Sequence, residues 1–93
     1  MHGTADETYA AGMDARVVDL KFASAPGTSI EVCFEPVGTT FSLSDGDYVF
    51  LRSPLRAVAA IEIVVWSNGI GVWVPYPGDY VILNRDKVEI DRL

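Results

Sequence analysis

The chain has 93 residues, of which 49% are hydrophobic and 22% are charged, and its net charge at neutral pH is −6. This length predicts one domain with one core, and the composition excludes a disordered chain, a fibre and a disulfide scaffold. A nucleic-acid-binding protein needs a positive surface to displace counterions from phosphate. With 7 basic residues against 13 acidic ones, we expect no nucleic-acid partner.

The first residues show no structural periodicity. Residues 1–13 mix small and acidic residues, which predicts a disordered leader, and residues 14–93 are predicted to form a single β domain. The leader lacks a basic start and an apolar run, so it does not resemble a signal peptide. The longest apolar stretch, residues 57–66, contains Glu62 and is too short to span a bilayer. We therefore expect a soluble cytoplasmic protein with no membrane partner.

From residue 16 onward, short apolar runs alternate with turn signals every ~8–12 residues, which is typical of all-β proteins. Pro54 introduces one alternative, since residues 53–60 would tolerate a short helix. The fold class is therefore all-β: an antiparallel β-sandwich, jelly-roll-like, or a small barrel of about seven to eight strands. The predicted strands lie near residues 16–23, 29–35, 39–43, 47–52, 58–66, 70–75, 79–84 and 87–91.

The charge is unevenly distributed along the chain. Residues 1–47 hold 8 acidic and 2 basic side chains, whereas residues 48–93 hold 5 of each. An acidic half favours either simple solubility or a basic protein partner. Within it, residues 30–35 alternate, so that Glu31, Cys33 and Glu35 are predicted to share a solvated strand face. Cys33 is the only cysteine, which excludes a disulfide within the chain.

Two segments of the chain are nearly the same. Residues 46–51 (GDYVFL) and 78–83 (GDYVIL) match at five of six positions. Each has a turn glycine, an acid and then a strand-forming run, which predicts two related hairpins. Duplication and convergent turn chemistry both remain open as explanations.

The most informative hairpin follows residue 60. Asn68-Gly69 between two β-rich runs predicts a two-residue type I′ turn, with Trp66 opposite Gly71. One face of this hairpin is then almost wholly aliphatic and is predicted to be core: Ile61, Ile63, Val65, Val72, Val74 and Tyr76. The other face collects Glu62, Val64, Trp66, Gly71, Trp73 and Pro75.

This second face has two interpretations. In the first, Trp66 covers the strand glycine and a second layer buries both tryptophan rings. In the second, the rings are exposed and bind a ligand or a partner, because tryptophan is enriched at interface hot spots. The candidate ligand- or partner-binding residues are Trp66, Trp73, Glu62 and Val64.

Most catalytic chemistries are not expected, and we predict no catalytic residue, no metal site and no cofactor. His2 is the only histidine and lies in the leader, which disfavours a catalytic triad and histidine-based metal sites. Residues 45–47 offer two acids but not the ordered ligands of a calcium loop. Arg52 and Arg56 could clamp an anion, although two solvated loop cations are the commoner arrangement.

Residues 34–49 (FEPVGTTFSLSDGDYV) resemble a pattern in small uncharacterised bacterial proteins. That pattern runs from Glu-Pro through polar residues and a leucine to a Gly-Asp turn that enters a strand. The resemblance implies a small bacterial β-protein and no particular activity. The Gly-Asp turn is also loosely similar to cupin jelly rolls, but the metal-binding histidines of cupins are missing here, so only the shape is implied.

Three functions are compatible with these residues. The leading one is a non-catalytic binding or interaction module, in its favoured form an acidic inhibitor or immunity-type partner of a basic protein. The second is a small-molecule-binding jelly roll, or a minor enzyme, that uses a pocket of Trp66, Trp73 and Glu62. The third is a structural subunit, in which a homodimer forms through the Trp66/Trp73 face.

Overall fold

The computed structural model describes residues 16–93, which form eight strands and one 3-10 helix. The predicted leader over residues 1–13, with His2, lies outside the described residues. The strands confirm the all-β prediction. Their bounds are β1 Val17–Ala23, β2 Ser29–Glu35, β3 Thr39–Ser44, β4 Tyr48–Pro54, β5 Glu62–Trp66, β6 Gly69–Trp73, β7 Val81–Leu83 and β8 Glu89–Arg92; the helix η1 spans Leu55–Ala60.

The strands form two four-stranded sheets that pack as a sandwich. Sheet A has the order β1-β4-β7-β8 and is antiparallel throughout. Sheet B has the order β3-β2-β6-β5, and its central pair, β2 and β6, is parallel. This parallel pair joins two antiparallel hairpins, β2–β3 and β5–β6, into one sheet. The sandwich was predicted, but this central pairing was not.

Alternate residues of the inner strands build the core. Val32 and Phe34 of β2 are completely buried, as the alternation over residues 30–35 predicted. The Phe34 ring lies edge-on to Phe22 at 5.7 Å and to Phe41 at 6.1 Å, which ties β1 and β3 to the centre of the sandwich. Edge-to-face ring pairs of this kind add roughly 0.5–1.5 kcal/mol beyond the burial of their area.

The predicted fifth strand begins later than expected. Residues 55–60 form the 3-10 helix, which starts directly after Pro54 and ends where the Ile61 N–H donates to the Val58 carbonyl at 3.1 Å. The helical alternative for this stretch is therefore realised, and β5 starts at Glu62. Within residues 16–93 no helix has the length and apolarity needed to cross a membrane.

The two similar segments are not hairpins, contrary to the prediction. Both carry the chain from sheet B to sheet A, one from β3 to β4 and the other from β6 to β7. Their matching side chains also face differently. Tyr48 is half-buried on the outer face of sheet A, whereas Tyr80 is buried in the core. The two similar segments therefore form similar connections between the sheets, but their strands are not structurally equivalent.

The predicted core face of the β5–β6 hairpin is only half correct. Val72 and Val74 are buried, but Ile63 and Val65 of β5 are 51% and 75% exposed, and Tyr76, which was also predicted to be core, is 51% exposed. Strand β5 lies at one edge of sheet B, and its inner side chains lie outside the core, whereas Leu43 of β3, at the other edge, is buried. Every residue of β5 is exposed.

Candidate binding face on sheet B

The turn of the β5–β6 hairpin differs from the prediction. The loop residues are Ser67 and Asn68, and Trp66 pairs with Gly69, so the strands are shifted by two residues from the expected register. Neither Asn68 nor Gly69 has the positive φ of a type I′ turn. Because the shift is an even number, every side chain stays on its predicted face.

Gly69 is required for a different reason. A Cβ atom at this position would clash with the Glu31 carbonyl oxygen of the neighbouring parallel strand. The Glu31 N–H also donates to the Asn68 carbonyl at 3.0 Å. The glycine therefore allows β2 to approach the hairpin closely, and the asparagine before it supplies a backbone acceptor.

The outer face of sheet B consists of three rows of side chains that run across β2, β6 and β5. Residues that pair across neighbouring strands lie side by side on the same face. The rows follow from the two registers: Glu35–Trp73–Glu62, then Cys33–Gly71–Val64, then Glu31–Gly69–Trp66. Trp73 thus lies between two glutamates, and the middle row has a glycine at its centre.

The two tryptophan rings converge above that glycine. A Cβ atom on Gly71 would be 2.9 Å from Cζ3 of Trp66 and 3.7 Å from Nε1 of Trp73. The prediction that Trp66 covers a strand glycine is confirmed. The accompanying expectation that a second layer buries both rings is wrong, because sheet A packs on the opposite face and each tryptophan remains 42% exposed.

Sheet B is also the acidic sheet of the sandwich. Its four strands carry three charged side chains, Glu31, Glu35 and Glu62, and no basic one. All three glutamates belong to the outer rows, since the inner positions of the same strands are apolar. The outer face of sheet B therefore combines two half-exposed indoles with uncompensated negative charge.

The outer face of sheet A, in contrast, carries basic side chains, and these contact acidic or aromatic residues of the same sheet. Arg52 donates to both carboxylate oxygens of Asp19 at 2.8 and 2.9 Å, and Lys87 donates to the same carboxylate at 2.7 Å. The hydrogen bonds from Arg52, aided by Lys87, lower the pKa of Asp19 from 3.8 to about 2. Lys21 and Arg85 lie over the ring of Tyr48.

The structure separates the two arginines of the predicted anion clamp. Arg52 is held by Asp19, as described, whereas Arg56 lies in η1 and lines a cavity at one end of the sandwich. Arg52 is not part of that cavity. The clamp stays a prediction of the sequence.

The cavity has a volume of about 360 Å³ and lies between η1 and the segment before β7. Its polar groups already have partners within the fold. The Tyr80 hydroxyl donates to the Pro75 carbonyl at 2.6 Å, and burial raises the pKa of this phenol. Arg92 donates to Asp79 at 2.9 Å. None of Trp66, Trp73 or Glu62 lines this cavity, so it gives no support to a small-molecule pocket built from them.

Comparison of the chain with protein-family models, with curated proteins and with solved structures finds no match. Within residues 16–93, no group of three or more His, Cys, Asp and Glu side chains is arranged to hold a metal ion. The rows of sheet B are therefore the candidate site.

The sequence identified four of the residues on this face and missed two. Glu62, Val64, Trp66 and Trp73 share the outer face as predicted. Glu31 and Glu35 were predicted to be solvated but were not connected with the tryptophans. The alternation in β2 gave their orientation, but only the parallel pairing of β2 with β6 brings them beside the rings.

Proposed function

We propose that the chain is a non-catalytic binding module that docks a basic protein on the outer face of sheet B, as an acidic inhibitor or immunity-type partner does. The observation that carries this proposal is the row Glu35–Trp73–Glu62, in which a half-exposed tryptophan pairs with a glutamate on each neighbouring strand. The resemblance to small bacterial β-proteins and the cytoplasmic setting stay predictions of the sequence.

This row has the chemistry that recognises a lysine or arginine side chain. A cation over the face of an indole gains roughly 0.5–2 kcal/mol, depending on how far it is desolvated. A carboxylate on each side accepts the hydrogen bonds of the same cation, and bonds between charged groups are the stronger kind. Because the rings of Trp66 and Trp73 converge above Gly71, a partner cation would lie on the exposed side of the rings and not between them.

The negative charge of the face would act before contact as well as after it. A cluster of one sign attracts a partner of the other sign and raises the association rate, and salt screens this attraction. The cations of sheet A do not cancel it, since Arg52, Lys87 and Arg85 lie on the other sheet and pair with Asp19 and Asp47.

The first test replaces Trp73. We expect Trp73→Ala to weaken binding of an arginine-rich decapeptide about 5- to 30-fold, which corresponds to the loss of about 1–2 kcal/mol of cation–π and contact energy, as measured by isothermal titration calorimetry. Tyr76→Ala is the matched control, because Tyr76 is also an exposed aromatic residue but lies outside the three rows. An equal effect of the two substitutions would contradict the assignment of the site.

The same titration tests the role of charge. Binding should weaken when salt rises from about 50 mM to about 500 mM, and an acidic decapeptide should not bind. Glu62→Gln should reduce affinity more than Asp86→Asn, although each removes one negative charge, because Asp86 lies in the turn before β8 on sheet A. Salt-insensitive binding, or no binding of the basic peptide, would overturn the proposed function.

A further inference from the structure

Strand β5 is an edge strand without the usual protection. Edge strands expose unpaired backbone groups, and proteins normally protect them with charges, proline or bulges. The edges of sheet A are protected by charges: β1 contains Asp19 and Lys21, and β8 contains acids and Arg92. Strand β5, Glu62–Trp66, has one charge, no proline and a regular register with β6. It differs from β3, the other edge of sheet B, which also lacks charge and proline, because every side chain of β5 is exposed.

The side chains of β5 are also uncovered on both faces of the sheet. Ile63 and Val65 lie on the side that faces the core, beyond the reach of sheet A, while Val64 and Trp66 lie on the outer side. A run of four exposed apolar residues is rare on a monomer unless the surface binds something. A strand added at this edge would satisfy the backbone groups and would cover both pairs of side chains.

We propose that this edge binds β5 of a second copy of the chain, antiparallel, about a two-fold axis at Val64. In this register Glu62 lies opposite Trp66 of the second copy, and Ile63 lies opposite its Val65. The sequence of β5 suits self-pairing because its single charge meets an indole and not the like charge of the other copy. Sheet B would then continue into a sheet of eight strands, four from each copy.

The second copy would complete the binding face. Because paired residues share a face, the outer rows run on across the two-fold axis. Each Glu62 would lie between Trp73 of its own chain and Trp66 of the other, so that carboxylates and indoles alternate along the row. This dimer differs from the predicted one, in which the Trp66/Trp73 face itself was buried, since here that face stays open and is doubled.

The expected response to salt separates this inference from the proposed function. Each copy has a net charge of −6, so salt screens the repulsion between copies and should tighten the dimer. Binding of a basic peptide should weaken with salt. Either result can therefore fail without the other, and the dimer is measured on the isolated chain with no peptide present.

Disulfide trapping tests the register. In a Cys33→Ser background, Val64→Cys places two thiols opposite each other on the two-fold axis, within the Cα separation of ~4.4–6.8 Å that a disulfide needs. We expect air oxidation to give a covalent dimer for Val64→Cys. We expect much less for Val65→Cys, on the same strand but opposite Ile63, and for Val17→Cys on the exposed β1 edge. Equal trapping at all three sites would overturn the register.

Sedimentation equilibrium tests the dimer itself. The unmodified chain should dimerise with rising concentration, and Val64→Lys should raise the dimer dissociation constant at least about tenfold, because two like charges would oppose each other on the axis. Val37→Lys is the control, since Val37 is equally exposed but lies in the β2–β3 turn. A chain that stays monomeric at millimolar concentration in high salt would overturn the inference.

Discussion

Asp19 shows how one side chain links the strands of sheet A. Its carboxylate accepts hydrogen bonds from Arg52 of β4 and from Lys87 in the turn before β8, while its own backbone pairs in β1. The carboxylate is mostly shielded, but the two cations are about half-exposed. Solvent therefore weakens the ion pairs, and we expect less stabilisation than the pKa alone would indicate.

The low pKa of Asp19 predicts a pH-dependent stability. A carboxyl whose pKa in the folded state lies at about 2, below its ordinary value of 3.8, stabilises the fold above pH ~4 and loses this effect as pH falls towards 2. Asp19→Asn should lower the free energy of unfolding by about 1–2 kcal/mol at pH 7 and by much less at pH 2. Urea titrations at both pH values measure this.

Asp86→Asn is the control for this prediction, because it removes an equal charge from an exposed turn of the same sheet. A loss of stability that is the same at both pH values would contradict the assignment.

Gly71 and Gly69 differ in how far their structural roles can be predicted from the sequence. The glycine under Trp66 was predicted from the pattern of the hairpin, since a ring beside a strand glycine is a recognisable pair. Gly69 was assigned to the turn because Asn-Gly favours positive φ. Its actual constraint is the Glu31 carbonyl, which belongs to a strand distant in sequence, so no local pattern could reveal it.

At the level of single elements, the alternation of side chains predicted faces correctly but not their exposure. Even with its register shifted by two residues, the β5–β6 hairpin keeps the predicted inner and outer sets. Whether an inner residue is buried depends on what lies across the sandwich. Val72 is covered and Val65 is not, because the core extends under β6, and as far as Leu43 of the edge strand β3, but does not extend under β5.

This difference in burial predicts that the same valine-to-alanine substitution lowers the free energy of unfolding by different amounts at two positions on one face of the hairpin. Val72→Ala should lower the free energy of unfolding by about 2–3 kcal/mol, through lost burial and the cavity that remains. Val65→Ala should change it by less than about 0.5 kcal/mol, as is usual at exposed positions. Chemical denaturation at a concentration where the chain is monomeric measures both, and equal costs would show that β5 is covered in the monomer.

At the level of the whole molecule, turn chemistry was enough to count the strands, but not to order them. The glycine- and proline-rich segments marked nearly every boundary, including the Pro26-Gly27 turn, where Gly27 has a φ of 77°. The pairing of β2 with β6 and of β1 with β4 joins strands that are far apart in the chain. Such pairings depend on the complementarity of whole surfaces, which a single sequence shows only faintly.

The same long-range pairings predict slow folding. The β1–β4 register joins Val17 to Pro54, so much of the chain must be ordered before sheet A closes. Sandwiches dominated by such contacts fold in roughly milliseconds to seconds, in contrast to the microseconds of helical bundles. Stopped-flow circular dichroism after dilution from urea measures the rate. Complete refolding within the mixing time would contradict the topology.

The position of the two tryptophans has a practical consequence for any optical study of the protein. These are the only two indoles of the chain, and both stand half-exposed on one outer face, while phenylalanine rings and Tyr80 occupy the core. Intrinsic fluorescence therefore reports on that face and not on the packing of the interior. A core substitution such as Val72→Ala should leave the emission wavelength of the folded protein unchanged. Anything that covers the face should shift the emission to the blue, so the protein carries a built-in reporter on the surface where we expect its partner to bind.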